Sequence, residues 1–178
     1  IEILTSAYGF GISPKRITLS TIGLMPAMNL FLEKSPCNLA VSLHSPFEDQ
    51  RQELLPMERI HPFKDIIAVL KSLGVEKQRR ISFEYIVFKG LNHTRAHANE
   101  LARVLDGIRC RINLIKFHPL PDNQFQAPSD DEMLSFQQLL EKKGIITTIR
   151  KSRGQDIDAA CGLLSTKKMN VKSPGKQD

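Results

Sequence analysis

Short apolar runs alternate along the chain with longer segments in which apolar residues recur every three or four positions. The short runs are rich in β-branched and aromatic residues and predict strands at 16–21, 38–44, 81–88, 111–117 and 146–151. The longer segments predict helices at 62–74, 97–107 and 129–144, each of which ends at a glycine. Strands that alternate with helices pair in parallel through right-handed crossovers. The pattern therefore predicts an α/β fold with mainly parallel strands, either an open sheet or part of a barrel.

Polar residues stand where several of the predicted strands end. They are Ser20 and Thr21, Ser42 and His44, the segment from Glu84 to Lys89, and His118. The carboxyl ends of parallel strands lie at one edge of a sheet, where α/β proteins bind their ligands. A serine or threonine at one strand end is common turn chemistry, but polar residues at three strand ends favour a shared pocket. We expect this pocket to take a small ligand with hydroxyl, amine and carboxylate groups.

The composition is that of one globular unit. The 178 residues are 41% hydrophobic, which is enough for a core of its own. No secretory signal or membrane span is visible, because the apolar stretch "GLMPAMNLFL" is shorter than the ~20 residues that cross a bilayer. The three cysteines, Cys37, Cys110 and Cys161, lack metal-ligand spacing, which favours a reducing cytoplasm and excludes an iron–sulfur cluster held by this chain alone.

The net charge of +6 comes from the last part of the chain. Residues 1–141 carry 16 Lys and Arg against 16 Asp and Glu, whereas residues 142–178 carry 9 against 3. Such a basic cluster is typical of a surface that meets nucleic acid, and equally typical of a solubilising tail. We expect residues 165–178 to form a basic, disordered tail.

Other candidate sites are weaker. His93 and His97 have the spacing of metal ligands on a helix, but no third ligand is evident, which favours a structural role. The pair Arg79 and Arg80 precedes a strand and is typical of a solvated turn. Cys37 and Cys110 are typical of packed residues.

Five segments, in order along the chain, resemble the RlmN/Cfr family of radical S-adenosylmethionine RNA methyltransferases. They are "KRITLSTIGLMPAM", "NLAVSLHSPFEDQRQELLPM", "RRISFEYIVFKGLNHTRAHANELARVL", "RINLIKFHPLP" and "TTIRKSRGQDIDAACG". The resemblance runs from about residue 7 to residue 164, and we take 1–164 as the C-terminal portion of the catalytic domain. It implies a partial (β/α) barrel of the radical S-adenosylmethionine type that methylates an adenine carbon of 23S ribosomal RNA, and in some members also modifies transfer RNA.

The resemblance also implies roles for individual residues. The family's S-adenosylmethionine contacts fall on Ser20, Ser42, Leu43 and His44, and a further contact, often Asn in the family, falls on His118. The family's methyl-carrying cysteine falls on Cys161. In the family this cysteine is methylated by one S-adenosylmethionine, a second generates the radical that activates the methyl group, and a resolving cysteine releases the product.

Several family motifs have no counterpart in this chain. The missing features are the CxxxCxxC ligands of the [4Fe–4S] cluster, the Gly-Glu-Pro segment, the catalytic glutamate and the resolving cysteine, all of which lie upstream in the family. The chain alone is therefore expected to be inactive, with the cluster ligands outside it. The expected reaction of the complete enzyme is methylation of adenine at C2. Two alternatives stay open: methylation at C8, as in Cfr-type members, and a cluster-free RNA-binding module that has lost catalysis. We also expect the protein to be a monomer in the cytoplasm and to receive electrons for the cluster from a separate donor.

Overall fold

One sheet of five parallel strands organises the protein. The computed structural model describes residues 1–72, 79–119 and 124–150. The strands are β1 (Thr18–Thr21), β2 (Asn38–Ser42), β3 (Ile81–Val87), β4 (Cys110–Lys116) and β5 (Ile146–Arg150). The strands lie side by side in the sheet in the same order as along the chain, and every neighbouring pair is parallel. The predicted α/β fold with parallel strands is confirmed.

Six α-helices accompany the strands among the described residues. They are α1 (Glu2–Thr5), α2 (Met25–Lys34), α3 (Glu48–Leu54), α4 (Phe63–Ser72), α5 (Arg95–Leu105) and α6 (Asp130–Glu141). The pattern predicted α4, α5 and α6 but not the first three. In α2, Met28, Phe31 and Leu32 are buried at helical spacing, and Pro26 lies in the first turn, where its missing N–H costs no hydrogen bond.

The ends of α5 and α6 follow the sequence signals. Ser129 and Glu132 form a capping box, in which the Ser129 hydroxyl accepts from the Glu132 N–H and the Glu132 carboxylate accepts from the Ser129 N–H. Gly107 and Gly144 each have φ of +79°, a left-handed backbone that terminates a helix most easily at glycine. The predicted end of α4 at Gly74 lies outside the described residues.

Arg79 closes the carboxyl end of α2. Its guanidinium donates to the carbonyl oxygens of Leu32 at 2.6 Å and Cys37 at 3.1 Å, and it lies over the ring of Phe31. The prediction of a solvated turn at Arg79 is therefore wrong, because the arginine satisfies carbonyl groups that the helix and the following loop leave without partners.

The sheet has one apolar and one polar face. Side chains alternate between the faces of each strand, so residues paired in register share a face. One face carries Leu39 and Val41 of β2 and Leu43 directly after it, all fully buried, with the matching residues of β3 and β4. Right-handed connections that always advance in one direction place their helices on the same side of the sheet. The core therefore lies between this face and the helices, and the other face is left open, as in a partial barrel.

No helix within the described ranges is both long and apolar enough to cross a membrane.

Candidate functional site

Two rows of side chains cross the open face of the sheet and include several polar residues. Read from β1 to β5, one row contains Ser20, Ala40, Ser82, Arg111 and Ile146. The next row, nearer the carboxyl ends, contains Ser42, Glu84, Asn113 and Thr148. Four neighbouring strands thus place polar side chains next to one another on this face, where Ala40 and Ser82 are buried and Ser20 and Thr148 are exposed.

The second row is joined by directed hydrogen bonds. The Thr148 hydroxyl donates to Asn113 Oδ1 at 2.8 Å, and Asn113 Nδ2 donates to Glu84 Oε1 at 2.7 Å. Arg150 Nη1 lies 3.8 Å from Glu84 Oε2. Sequence reasoning included Glu84 among the strand-end residues but did not identify Asn113 or Thr148, because an isolated polar residue inside a strand gives no signal until the register is known.

Ser20 and Ser42 lie on the same face and toward the same end of the sheet. Ser20 pairs with Ala40, which is two residues before Ser42 on β2. Ser20 is exposed, and Ser42 is half-buried. Their arrangement fits the expected shared pocket, and their role as ligand contacts stays a prediction.

His44 is held in one tautomer at the end of β2. Its Nδ1 accepts a hydrogen bond from the Ile86 N–H at 3.0 Å, so the ring proton of the neutral imidazole resides on Nε2. Burial, and then the positive charge of Arg51, lower the pKa of His44 to about 4, so the ring is neutral at pH 7. The backbone of His44 has φ of +56°, which ends the strand two residues earlier than the predicted 38–44. The ring can therefore offer a neutral N–H donor at the carboxyl edge.

Asn92 fixes the loop around His44. Its Nδ2 donates to the carbonyl oxygens of His44 at 2.7 Å and Ile86 at 2.8 Å, while its Oδ1 accepts from the Phe88 N–H at 2.9 Å. Its own carbonyl accepts from the Tyr85 hydroxyl at 2.6 Å. The side chain is fully buried. Thr94 caps the following helix, and Asn92 joins the ends of β2 and β3.

A buried ion pair supports Ser42 from the helical layer. Arg51 on α3 pairs with Glu58 and donates from Nη2 to the Ser42 carbonyl oxygen at 2.9 Å. The other Glu58 oxygen accepts from the Phe63 N–H at 2.8 Å, and the Arg51 guanidinium lies over the Phe63 ring. Arg51 is 1% exposed. Sequence reasoning missed both charged residues, because charges in a polar segment normally indicate a solvated surface.

The remaining predicted site residues are placed differently. The side chain of Leu43 lies in the core, its N–H donates to the Glu84 carbonyl and its carbonyl accepts from the Ser45 N–H, so only its backbone borders the open edge. His118 follows β4 and is half-buried. Cys161 and the basic residues Lys151 and Arg153 lie outside the described residues, as does the 165–178 tail.

His93 and His97 have different partners. His97 contacts Gln50 Oε1 through Nε2 and the Thr94 hydroxyl through Nδ1, both within 2.8 Å. His93 Nδ1 lies 3.0 Å from the Phe88 carbonyl oxygen. Within residues 1–72, 79–119 and 124–150, no group of three His, Cys, Asp or Glu residues is arranged to hold a metal ion. The two rings therefore act as hydrogen-bonding residues of the fold.

Neither described cysteine is suited to nucleophilic chemistry. Cys37 is fully buried in the core. Burial raises the pKa of the Cys110 thiol to about 11, so it is protonated at pH 7. The prediction that both are packed residues is confirmed.

Acidification is expected to destabilise the fold through two histidines. Burial lowers the pKa of His44 and of His97 to about 4, with Arg51 and His93 respectively as secondary causes. In the unfolded chain histidine titrates near 6.5, so the unfolded state alone takes up protons as the pH falls from 6.5 toward 4. The free energy of unfolding, measured with urea, should be lower at pH 5 than at pH 7 by about 2 kcal/mol for each histidine.

The control for this experiment is His97→Gln, which can keep one hydrogen bond and cannot titrate. It should show about half of the pH dependence of the original chain. An unchanged pH dependence in a His44→Asn, His97→Gln double variant would contradict the assignment.

Comparison with known proteins identifies close relatives. The chain is 52% identical over 168 residues to a Bacteroides fragilis protein named "Probable dual-specificity RNA methyltransferase RlmN" and 50% identical over the same length to its Bacteroides thetaiotaomicron namesake. Each match covers 94% of this chain and 49% of the relative. A Syntrophus aciditrophicus protein named dual-specificity RNA methyltransferase RlmN is 43% identical over 172 residues, which cover 97% of this chain and 49% of the relative. The chain thus spans about half the length of the relatives that it matches. No family model matches.

Solved structures agree with the fold. A radical SAM methyltransferase from Sphaerobacter thermophilus is 42% identical and superposes with a TM-score of 0.83 over 90% of this chain and 47% of its own. A domain of a pyruvate-formate lyase-activating enzyme from Bacteroides vulgatus superposes with a TM-score of 0.58 at 17% identity, over 75% of this chain and 80% of its own, and supports the fold alone.

Proposed function

The chain belongs to the RlmN family of radical S-adenosylmethionine RNA methyltransferases, and we propose that it is the C-terminal portion of such an enzyme. The relatives' identity of 43–52% over at least 94% of the chain carries this proposal. The substrate we propose is adenine C2 in 23S ribosomal RNA, with transfer RNA as a second substrate. The enzyme acts in the cytoplasm as a monomer that receives electrons from a separate donor.

The open face of the sheet fits S-adenosylmethionine. Its carboxyl edge offers the hydroxyls of Ser20 and Ser42 and the neutral Nε2–H of His44. His118 would contribute from the end of β4, and Leu43 through its backbone. These groups bind and orient the cosubstrate and supply no electrons.

The iron–sulfur cluster is proposed to be held outside this chain. The described residues contain no group of three potential metal ligands. Of the two cysteines among them, Cys37 is buried in the core, and burial raises the pKa of Cys110 to about 11. When bound, the cluster supplies the electron that cleaves S-adenosylmethionine to a radical.

Cys161 is proposed to carry the methyl group. Its thiolate sulfur attacks the methyl carbon of S-adenosylmethionine, a carbon–sulfur bond forms to Cys161, the sulfonium bond breaks, and S-adenosylhomocysteine leaves. Arg150, Lys151 and Arg153 precede Cys161 in the sequence, and their positive charges are proposed to favour the thiolate form.

The same basic residues are proposed to bind RNA phosphates. Replacing Lys151 and Arg153 with glutamine should weaken RNA binding across sequences and reduce the log–log salt slope by about one unit for each lost phosphate contact. Filter binding of the full-length protein between low and moderate salt measures this slope. An unchanged slope would favour a solubilising role for residues 142–178. The matched control is Lys64→Gln on α4, which should leave the slope unchanged.

Mass spectrometry of ribosomal RNA tests the proposed function. RNA from a strain that has the complete gene should contain adenine methylated at C2, and RNA from a deletion strain should lack it. Methylation at C8 would assign the protein to the Cfr type. If the deletion strain loses no methylated nucleoside and the reading frame contains no CxxxCxxC motif upstream, the protein is instead a cluster-free RNA-binding module.

A further inference from the structure

The backbone turns sharply at His44, directly after β2. The Ser45 N–H donates to the Leu43 carbonyl oxygen at 2.7 Å, and His44 between them has φ of +56°. A three-residue turn with positive φ at its centre is the rare form of the γ-turn, in which the side chain crowds the backbone. Among the non-glycine residues that the structure describes, His44 alone has a positive φ. The turn is therefore a strained conformation that the surrounding structure must hold in place.

Asn92 holds this turn from the neighbouring strand end. Its Nδ2 donates to the carbonyl oxygens of His44 at 2.7 Å and Ile86 at 2.8 Å, so one amide group ties the turn to the end of β3. The Ile86 N–H donates to His44 Nδ1 at 3.0 Å. The backbone and the ring of His44 are thus fixed through the same two residues.

The Asn92 amide is itself fixed by its neighbours. The side chain is fully buried, and its Oδ1 accepts from the Phe88 N–H at 2.9 Å. Because the amide oxygen is committed to this N–H, the amide nitrogen must face the two carbonyl oxygens. A side chain without an amide would leave both buried carbonyl groups without this donor.

The second ring nitrogen of His44 is open to a ligand. Nε2 makes no hydrogen bond in the described part of the chain, and it is not one of the unpaired atoms there that are sealed from solvent. Because Nδ1 accepts from a backbone N–H, Nε2 carries the proton. If the backbone of His44 relaxed to a negative φ, the ring would leave the Ile86 N–H and the proton could reside on either nitrogen.

We propose that Asn92 is a positioning residue for the cosubstrate. It holds His44 in the strained turn, so that the Nε2–H stands at the carboxyl edge of the sheet before a ligand arrives. A donor that is already in place loses little conformational entropy on binding. The inference rests on the proposed function, because that function supplies the ligand that His44 binds.

A double-mutant cycle tests the coupling between the two residues. The probe is S-adenosylhomocysteine, and the readout is the dissociation constant from equilibrium dialysis with the full-length, cluster-loaded protein. We expect His44→Ala and Asn92→Ala each to weaken binding by about 10-fold, the loss typical of one hydrogen bond. The double variant should also lose about 10-fold rather than about 100-fold, because both substitutions remove the same ligand contact.

The matched control is Asn38→Ala at the opposite end of β2. Asn38 is also buried, its Nδ2 donates to the Lys15 carbonyl oxygen at 2.8 Å, and its Oδ1 accepts from the Arg80 N–H at 3.2 Å. Its loss should lower the thermal midpoint and leave the dissociation constant unchanged. Nitrogen NMR of the imidazole rings should show His44 protonated on Nε2 in the original protein and in Asn38→Ala, and a mixture of tautomers in Asn92→Ala.

Substitutions at His44 itself test the strain. Glycine adopts a positive φ without steric cost, so His44→Gly should have a higher thermal midpoint than His44→Ala, the reverse of the order at an ordinary position. A lower midpoint for His44→Gly would show that the turn is unstrained. That result would overturn the proposal even if Asn92→Ala fails to fold.

The remaining outcomes contradict different claims. If the losses of His44→Ala and Asn92→Ala multiply, or if Asn38→Ala weakens binding as much as Asn92→Ala, then Asn92 does not act through His44. Unchanged binding by His44→Ala would overturn the ligand role of His44 and the proposal with it. If the original protein does not bind S-adenosylhomocysteine, the proposed function fails instead.

Discussion

Replacing Cys161 with alanine in the full-length protein is expected to abolish methylated adenine while leaving the fold intact. The proposed methyl carrier has no substitute, because Cys37 is fully buried and burial holds the pKa of Cys110 at about 11. RNA mass spectrometry measures the product, and peptide mass spectrometry of the original protein should find an added methyl or methylene mass on Cys161.

The other cysteines provide the controls for this experiment. Cys110→Ala and Cys37→Ala should leave methylation standing, although Cys37→Ala creates a cavity in the core and should lower the thermal midpoint. Normal amounts of methylated adenine from Cys161→Ala would refute the carrier role. That result would not contradict the proposed binding of S-adenosylmethionine to the sheet, because the binding depends on other residues.

Arg51→Ala is expected to lower the free energy of unfolding by about 3–5 kcal/mol. The substitution leaves the Glu58 carboxylate buried without its cation and removes the donor to the Ser42 carbonyl oxygen. Because Ser42 lies at the proposed ligand site, the dissociation constant for S-adenosylhomocysteine should also rise. Urea denaturation and equilibrium dialysis measure the two effects.

Two variants separate the cost of an unpaired charge from the value of the pair itself. Arg51→Met with Glu58→Leu should recover most of the stability, since apolar residues of similar volume often replace a buried pair without loss. Arg103→Ala breaks the surface pair with Glu100 and should change the unfolding free energy little. A small effect of Arg51→Ala, similar to that of Arg103→Ala, would show that the pair is hydrated.

The strands, three of the helices and the parallel pairing could be predicted from the sequence. Periodicity was sufficient for α4, α5 and α6, because their apolar residues repeat at helical spacing and glycine or a capping box marks their ends. It was insufficient for α2, where proline and asparagine interrupt the apolar run and only packing against the sheet shows which face is buried. The short α3 gave no apolar signal, because its one buried residue is Arg51.

The sequence by itself also determined which polar residues stand at strand ends, since Ser20, Ser42, His44 and Glu84 each interrupt or follow an apolar run. Only the tertiary structure decided what these residues can do. The tautomer of His44 depends on an N–H 42 residues away, and the orientation of the Glu84 carboxylate depends on an amide 29 residues away. Such contacts follow from the register between strands, and register is set by long-range packing of the whole sheet, which no local pattern of residues encodes.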